Sequence, residues 1–260
     1  MSVSFDEYSG RYSCLSMRRD EGILQLSIHA KGDPEKPCLW SAAPHEELSY
    51  AFYDIARDRE NRCVILTGAG DAFLAEMHPS IAGLARFSEG NLTPAMHGKM
   101  HEAAHDGRYL LVNLLNIEVP TIAAVNGPAL IHAELAVLCD IVLAADTAVF
   151  QDAPHLPAGL VPGDGVHIVW PLILGPNRGR YFLLTGQKLT AYDALELGVI
   201  NEVLPREELL ARAWTLAREL CKRPLLANRY ARVAMTQAIK QALDDLGYGL
   251  ALESLAMMSR

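Results

Sequence analysis

The chain has 260 residues, half of them hydrophobic, with 23 basic and 31 acidic side chains and a formal net charge of -8. That length and apolar content suffice for a full core in one large domain, or in one domain with a small extension. A net acidic chain with no arginine or lysine stripe repels polyanions, which argues against nucleic-acid binding, and no apolar run reaches the roughly 18 to 20 residues of a membrane span.

The first residues, MSVSFDEYSGRYSC, carry neither a basic segment nor an apolar stretch of the kind that directs export, so a cytoplasmic location is expected. The five cysteines, Cys14, Cys38, Cys63, Cys139 and Cys221, form no CxxC and no zinc spacing, and suit a reducing compartment as small hydrophobes. CLSMRR and ILQLSIHA flank Asp20, Glu21 and Gly22 and read as a hairpin. HEELSYAFYDIARD (45–58) has helical periodicity, CVILTGAG (63–70) is a β-rich run ended by Gly-Ala-Gly, and HGKMHEAAHDGRYLLVNLLN (97–116) is helical again. VPTIAAVNG (119–127) and IVLAADTAVFQ (141–151), the latter broken near Asp146, complete the strand and helix rhythm of an α/β protein. From Pro205 the pattern turns helical: EELLARAWTLARELCKR, then LLANRYARVAMTQAIKQALDD after Pro224, then YGLALESLAMMSR. The predicted organisation is an α/β core over 1–204 and a helical region over 205–260. Ala251, Leu252, Leu255, Ala256 and two methionines make the last segment more apolar than a solvated tail requires, so it is expected to pack on the core or on another subunit.

Three stretches offer chemistry. In FQDAPHLPAGLVPGDG (150–165), Pro154 and Pro157 stiffen the backbone around His155, while Gly163 and Gly165 flank Asp164. Such a loop can hold an imidazole as general base and a carboxylate that fixes its tautomer, although nine positions on a loop permit contact without requiring it. In ALIHAELAVLCD, His132 and Glu134 fall at the start of an apolar helix, whose free N–H groups favour negative charge. GAGDAFLAEMHP (68–79) is a glycine-rich turn after a strand, with neither GxGxxG nor GxxxxGK[ST], so nucleotide binding by those routes is unsupported. Small residues there can still present backbone donors to an oxyanion. His97, His101 and His105 repeat every four residues on one helical face; with polar neighbours and no HExxH they read as a solvated row, and no metal site is predicted. GxSxG is absent, against a serine hydrolase of that class.

Taken in order, GAGDAFLAE, VNGPALIHAELAVLCDIVLAADTAVFQ, the Pro-His and VPGDG elements, and LTGQKLTAYDALELGVINEVLP resemble the enoyl-CoA hydratase/isomerase (crotonase) superfamily over roughly residues 20 to 255. The resemblance implies a fold of repeated ββα units forming two sheets, C-terminal helices that build trimers or dimers of trimers, and an oxyanion hole of two backbone N–H groups. One donor falls at Ala75, the other near Ile131 or His132. The departures matter as much. Glu76 stands where the family has a glycine and His78 where it has an aspartate, ALIHA replaces a three-glycine run, and of the two hydratase glutamates one is kept as Glu134 while His155 occupies the place of the other. Asp164 adds an acid to the PGAGG segment.

This His and Asp pattern is similar to that of the β-diketone hydrolases, among them 6-oxocamphor hydrolase, which cleave a carbon–carbon bond between two carbonyls without coenzyme A. LWSAAPHEELSYAFYDIARDREN with Trp40, VWPLILGPNRGRYFLLTGQ and GLALESLA with Glu253 extend the match, whereas Glu76 to Met96 departs from it. The resemblance implies His155 as base oriented by Asp164, His132 with backbone donors at the enolate, Trp40 as a pocket wall, Glu253 reaching in from the C-terminal helix, a small-molecule diketone as substrate, and no cofactor. An acyl-CoA hydratase, isomerase or hydrolase, or a non-catalytic binding protein of the same fold, remain the alternatives.

Overall fold

The computed structural model describes residues 2–79 and 94–258, except for the side chains at 94–97, 99–100, 102–104 and 257–258. Most of the stretch from Glu76 to Met96 that departs from the resemblance, residues 80–93, therefore lies outside the described residues, as do the side chains of His97 and the two terminal methionines.

Leu15–Asp20 (β1) and Ile23–Ile28 (β2) form the expected antiparallel hairpin. Its turn residues, Glu21 and Gly22, both have positive φ, 48° and 80°, the two-residue turn whose twist matches the flanking strands. Leu39–Trp40 (β3) precedes the helix Ala42–Arg57 (α2), a short helix Phe5–Tyr8 (α1) having come before the hairpin. Cys63–Gly68 (β4), Thr121–Val125 (β6), Ile141–Ala145 (β7) and Glu202–Leu204 (β10) then join the hairpin in one six-stranded sheet of order β1-β2-β4-β6-β7-β10, parallel beyond the hairpin.

The central strands are buried on both faces, and their alternation divides the core. Val64, Leu66, Ala123, Val125, Val142 and Ala144 face the main core, while Cys63, Ile65, Ile122, Ala124, Leu143 and Ala145 face a second one. The second core is closed by Leu209, Ala213, Trp214 and Ala217 of the helix Arg206–Cys221 (α8). The helical region expected over 205–260 thus begins with a helix that covers one face of the sheet.

The main core lies between the other face and a second, discontinuous layer. After β4 the chain bridges at Leu74 and forms Glu76–Met77 (β5), paired with β3; after β6 it bridges at Ala129; after β7 it turns at Asp146 and forms Val149–Phe150 (β8), paired with Leu189–Thr190 (β9). The third apolar run is therefore two strands. Leu74 bridges Ala129 and Ala129 bridges Phe150, so three successive crossovers lay their ends side by side. This is the repeated ββα plan of an α/β crotonase fold, and it sets Leu74, the turn at Ala129 and β8 next to one another.

The remaining helices are Pro94–Asn116 (α3), Glu134–Val137 (α4), Val166–Leu174 (α5), Pro176–Thr185 (α6), Ala191–Glu196 (α7), Leu225–Ala242 (α9) and Leu246–Met258 (α10). Arg232 of α9 is 1% exposed; it donates to Asp140 at 2.7 Å and to the carbonyls of Leu115 and Ile117, tying α9 to the end of α3 and the start of β6. No helix among the described residues is long and apolar enough to cross a membrane.

Candidate active site

The crossover after β8 carries the residues of the proline-rich stretch FQDAPHLPAGLVPGDG (150–165). Asp152 and His155 are three apart in the turn that enters a single 3-10 turn, Leu156–Ala158, and the carbonyl of His155 accepts from Ala158 and Leu160. The turn folds Asp152 back so that His155 Nδ1 lies 2.6 Å from Asp152 Oδ1, with both side chains buried. Asp164 enters from the other side, on the loop before α5, and its Oδ2 stands 3.4 Å from His155 Nε2.

The expectation that Asp164 fixes the far nitrogen of His155 is therefore corrected: Asp152 occupies Nδ1, and Asp164 faces the working nitrogen. The reason is local. An i, i+3 turn brings a side chain back over its own loop, while Asp164 is separated from His155 by the 3-10 turn and Gly159.

Asp164 Oδ2 also lies 3.7 Å from His132 Nδ1, so one carboxylate serves two imidazoles. His132 sits in the left-handed region at φ 45°, a conformation rare for a residue with a side chain. Its backbone is held there by Leu135 donating to its carbonyl at 3.0 Å, next to Leu130 and Ile131, whose N–H groups both donate to Leu74. His132 Nδ1 meets Glu134 Oε1 at 2.5 Å, with Glu134 fully buried at the head of a four-residue helix. The Trp40 ring packs on His132 with centroids 4.4 Å apart, and His45 of α2 completes the wall at 5.6 Å from Trp40 and 5.7 Å from His132.

Glu253 arrives from α10, its Oε1 3.8 Å from His155 Nε2. Two glycines allow this. A Cβ on Gly163 would fall 2.2 Å from the Gly249 carbonyl, and one on Gly249 would fall 2.6 Å from the Gly163 carbonyl, so the helix backbone presses directly on the loop that carries Asp164.

Two other expected residues stand differently. The Ile131 N–H is used by Leu74 at 3.1 Å, so it is not the second oxyanion donor; the tight crossover after Ala129 spends it on the neighbouring strand. Glu76 is exposed on β5 and lines an outer cleft of about 260 Å³ together with Ala75, Lys36 and Asp71, away from the imidazoles. Ala75 itself is half-buried where that cleft meets the second layer. His78 is exposed, with its N–H on Trp40. His101 and His105 are exposed on α3.

The sequence reading passed over Asp152 and His45. Asp152 had a signal, an acid three residues before a histidine in a proline-bounded turn; His45 had none, since only the tertiary fold sets α2 against His132.

Burial and charge act against each other here. Burial disfavours a charged His155, yet Asp164 and Asp152 more than offset it and hold the imidazole well above its usual range. Burial likewise opposes ionisation of Asp164, but His155 and then His132 keep its carboxyl below the usual carboxylate range. Glu253 is pushed up to about 8 by burial and by Asp164. Burial raises Glu134, while Glu134 and Asp164 outweigh burial and raise His132, so that pair holds a proton between its partners. His45 is pushed down to about 3 by burial and by His132. The centre is thus a carboxylate that favours the charged form of the two imidazoles it faces, beside a Glu253 carboxyl that stays neutral up to about 8.

That arrangement can exchange a proton at His155 Nε2, stabilise negative charge at His132, and orient small carbonyl compounds against Trp40. Two groups, His132–Glu134–Asp164 and His155–Asp164–Glu253, also bring donor atoms within the reach of one metal ion.

The family model for enoyl-CoA hydratase/isomerase matches residues 19–249. A β-diketone hydrolase from the cyanobacterium Anabaena sp. PCC 7120, solved bound to (S)-3-oxocyclohexyl acetic acid, is 48% identical, with 97% of each chain covered and a TM-score of 0.89. An enoyl-CoA hydratase/isomerase from Mycobacterium paratuberculosis is 27% identical over 95% of this chain and 94% of its own, with a TM-score of 0.82. Among curated relatives, a carnitinyl-CoA dehydratase from Salmonella arizonae is 33% identical over 236 residues, 89% of this chain and 82% of its own length.

Proposed function

The chain belongs to the enoyl-CoA hydratase/isomerase family, and within it we propose a coenzyme A-independent hydrolase that cleaves the bond between the two carbonyls of a cyclic or bicyclic β-diketone, a retro-Claisen reaction. The observation that carries this reading is the pair of carboxylates on opposite nitrogens of His155, Asp152 at 2.6 Å and Asp164 at 3.4 Å, with His132 facing the same Asp164. The relative that is 48% identical and described as a β-diketone hydrolase supports it.

In its neutral form His155 takes a proton through Nε2 from a water placed between it and Glu253, and the hydroxide adds to one carbonyl. Asp152 holds the tautomer and Asp164 stabilises the imidazolium. The tetrahedral adduct collapses to a carboxylic acid, and the electron pair of the broken bond moves onto the neighbouring carbonyl as an enolate. His132, held at Nδ1 by Glu134, donates its Nε2–H to that oxygen. His155 returns its proton to the α-carbon, giving a keto acid and regenerating the base. A single ketone would leave an unstabilised carbanion, so the 1,3-relationship of the carbonyls is essential.

The ligand of the Anabaena relative suggests a test compound. Rejoining its carboxyl carbon to the ring α-carbon farther from its side chain gives a bicyclic diketone with three two-atom bridges and both carbonyls beside one bridgehead. Incubated with the purified protein and no coenzyme A, this diketone should be consumed and should yield predominantly one enantiomer of the keto acid on chiral chromatography. No consumption, together with saturable turnover of an α,β-unsaturated acyl-CoA, would replace this reading with the acyl-CoA one that the carnitinyl-CoA dehydratase relatives represent.

A further inference from the structure

The carboxylates of the centre have more acceptor atoms than the protein supplies donors for. Within the group that includes His155, Asp164 Oδ1 and Glu253 Oε2 are buried with no hydrogen-bond partner, a costly state that a cation taking the place of the Glu253 proton relieves. Two sets of three donor atoms lie within 4.8 Å of one another, His132–Glu134–Asp164 and His155–Asp164–Glu253.

These sets are not equivalent. The Nδ1 of His132 is already engaged by Glu134 at 2.5 Å. His155 has Nδ1 anchored on Asp152 at 2.6 Å, and its Nε2 faces Asp164 Oδ2 at 3.4 Å and Glu253 Oε1 at 3.8 Å. Those two contacts are long for hydrogen bonds. They suit a shared ion, because two donors each about 2.0 Å from a tetrahedral zinc stand roughly 3.3 Å apart. A carboxylate on the far nitrogen is also how metal-ligating histidines are oriented, and one imidazole with two carboxylates leaves the fourth position of zinc open to water.

We propose that His155 Nε2, Asp164 and Glu253 form a Zn²⁺ site and that the ion reversibly blocks the centre. A bound ion occupies the lone pair that must accept the proton of water, so metal binding and base catalysis exclude each other. Only the inhibition rests on the hydrolase reading; binding is measured without turnover.

Chelator-treated, desalted protein titrated with Co²⁺ should develop the visible absorption of a four- or five-coordinate ion, and Zn²⁺ should displace it at one ion per chain. H155A and E253Q should each weaken binding at least 10-fold, with E253Q the variant less disturbing to the fold. H101A/H105A, which removes the exposed imidazoles of α3, should leave binding within about threefold of wild type, roughly the context-dependent scatter of single-site effects. Binding absent at 100 μM metal, retained in both H155A and E253Q, or lost in H101A/H105A would overturn the site. Zn²⁺ should abolish diketone turnover with the midpoint of its binding curve, and EDTA should restore it; full turnover at saturating Zn²⁺ would overturn the block. A normal binding curve in a protein with no diketone turnover would leave the metal site standing and remove the hydrolase reading.

Discussion

Asp152 and Asp164 act on opposite nitrogens of His155, so their neutral variants should fail differently. D152N removes the acceptor that fixes Nδ1–H, and kcat should fall by roughly 10² to 10⁴-fold, the scale of an orienting carboxylate. D164N removes a charge from Nε2. The titratable groups around this imidazole are Asp152, Asp164, Glu253, His132 and His167; Asp164 and Asp152 favour its charged form, and the proposed reaction needs it neutral. Wild-type kcat/KM should therefore rise with pH through the elevated His155 pKa, and in D164N that rise should move to lower pH. Glu253 works in the other direction. It is neutral below about 8, and above that pH its charge, added beside Asp164, opposes the developing oxyanion. The wild-type rate should fall above about pH 8 and E253Q should keep its rate there; an alkaline limb unchanged in E253Q would remove this role. His155 and Asp164 were legible in the sequence because prolines and glycines bound them in one short stretch. Which carboxylate takes which nitrogen was not, since it depends on the 3-10 turn that places Asp152 behind the ring and Asp164 in front.

The elements place these residues through close backbone contact. Gly249 of α10 packs on the carbonyl of Gly163, and one helical turn further on is Glu253. G249A should push α10 off the loop and lower kcat while leaving the sheet intact, which circular dichroism and a kinetic assay read separately; full activity in G249A would show that the docking of α10 is not needed. Arg232 holds α9 in a different way, as a buried charge paired with Asp140 and two carbonyls. R232A leaves the buried carbonyls of Leu115 and Ile117 without their donor, while Asp140 keeps Thr121, and should cost about 1 to 3 kcal/mol in denaturant unfolding. The long elements were readable from the pattern of apolar residues: the hairpin, the mainly apolar and buried β4 and β6, and the helices from α8 onward. The two-residue strands β3, β5 and β9 were not. Their pairing partners lie far along the chain, and two residues carry no periodic signal.

At the scale of the whole molecule, two helices present apolar stripes to solvent. Leu226, Tyr230 and Val233 on α9, and Tyr248, Leu252 and Leu255 on α10, are exposed at i, i+4, i+7 spacing, the pattern of a face that packs on something. A trimer or a dimer of trimers is the proposed assembly, and light scattering should give three or six times the chain mass; a monomer at micromolar concentration would contradict it. The same fold that stacks three crossover ends beside one another brings β8, the Ala129 loop and the C-terminal helix to a single point, where two imidazoles share one carboxylate. In the proposed reaction His155 of this centre activates water against a β-diketone. The most direct test of that role is the rate at which the bicyclic diketone becomes keto acid, without coenzyme A, in wild type and in H155A. The wild type should turn over, and a folded H155A protein should lose about 10² to 10⁴-fold, the scale of a general base. Equal rates in the two proteins, or no keto acid from either, would contradict that role.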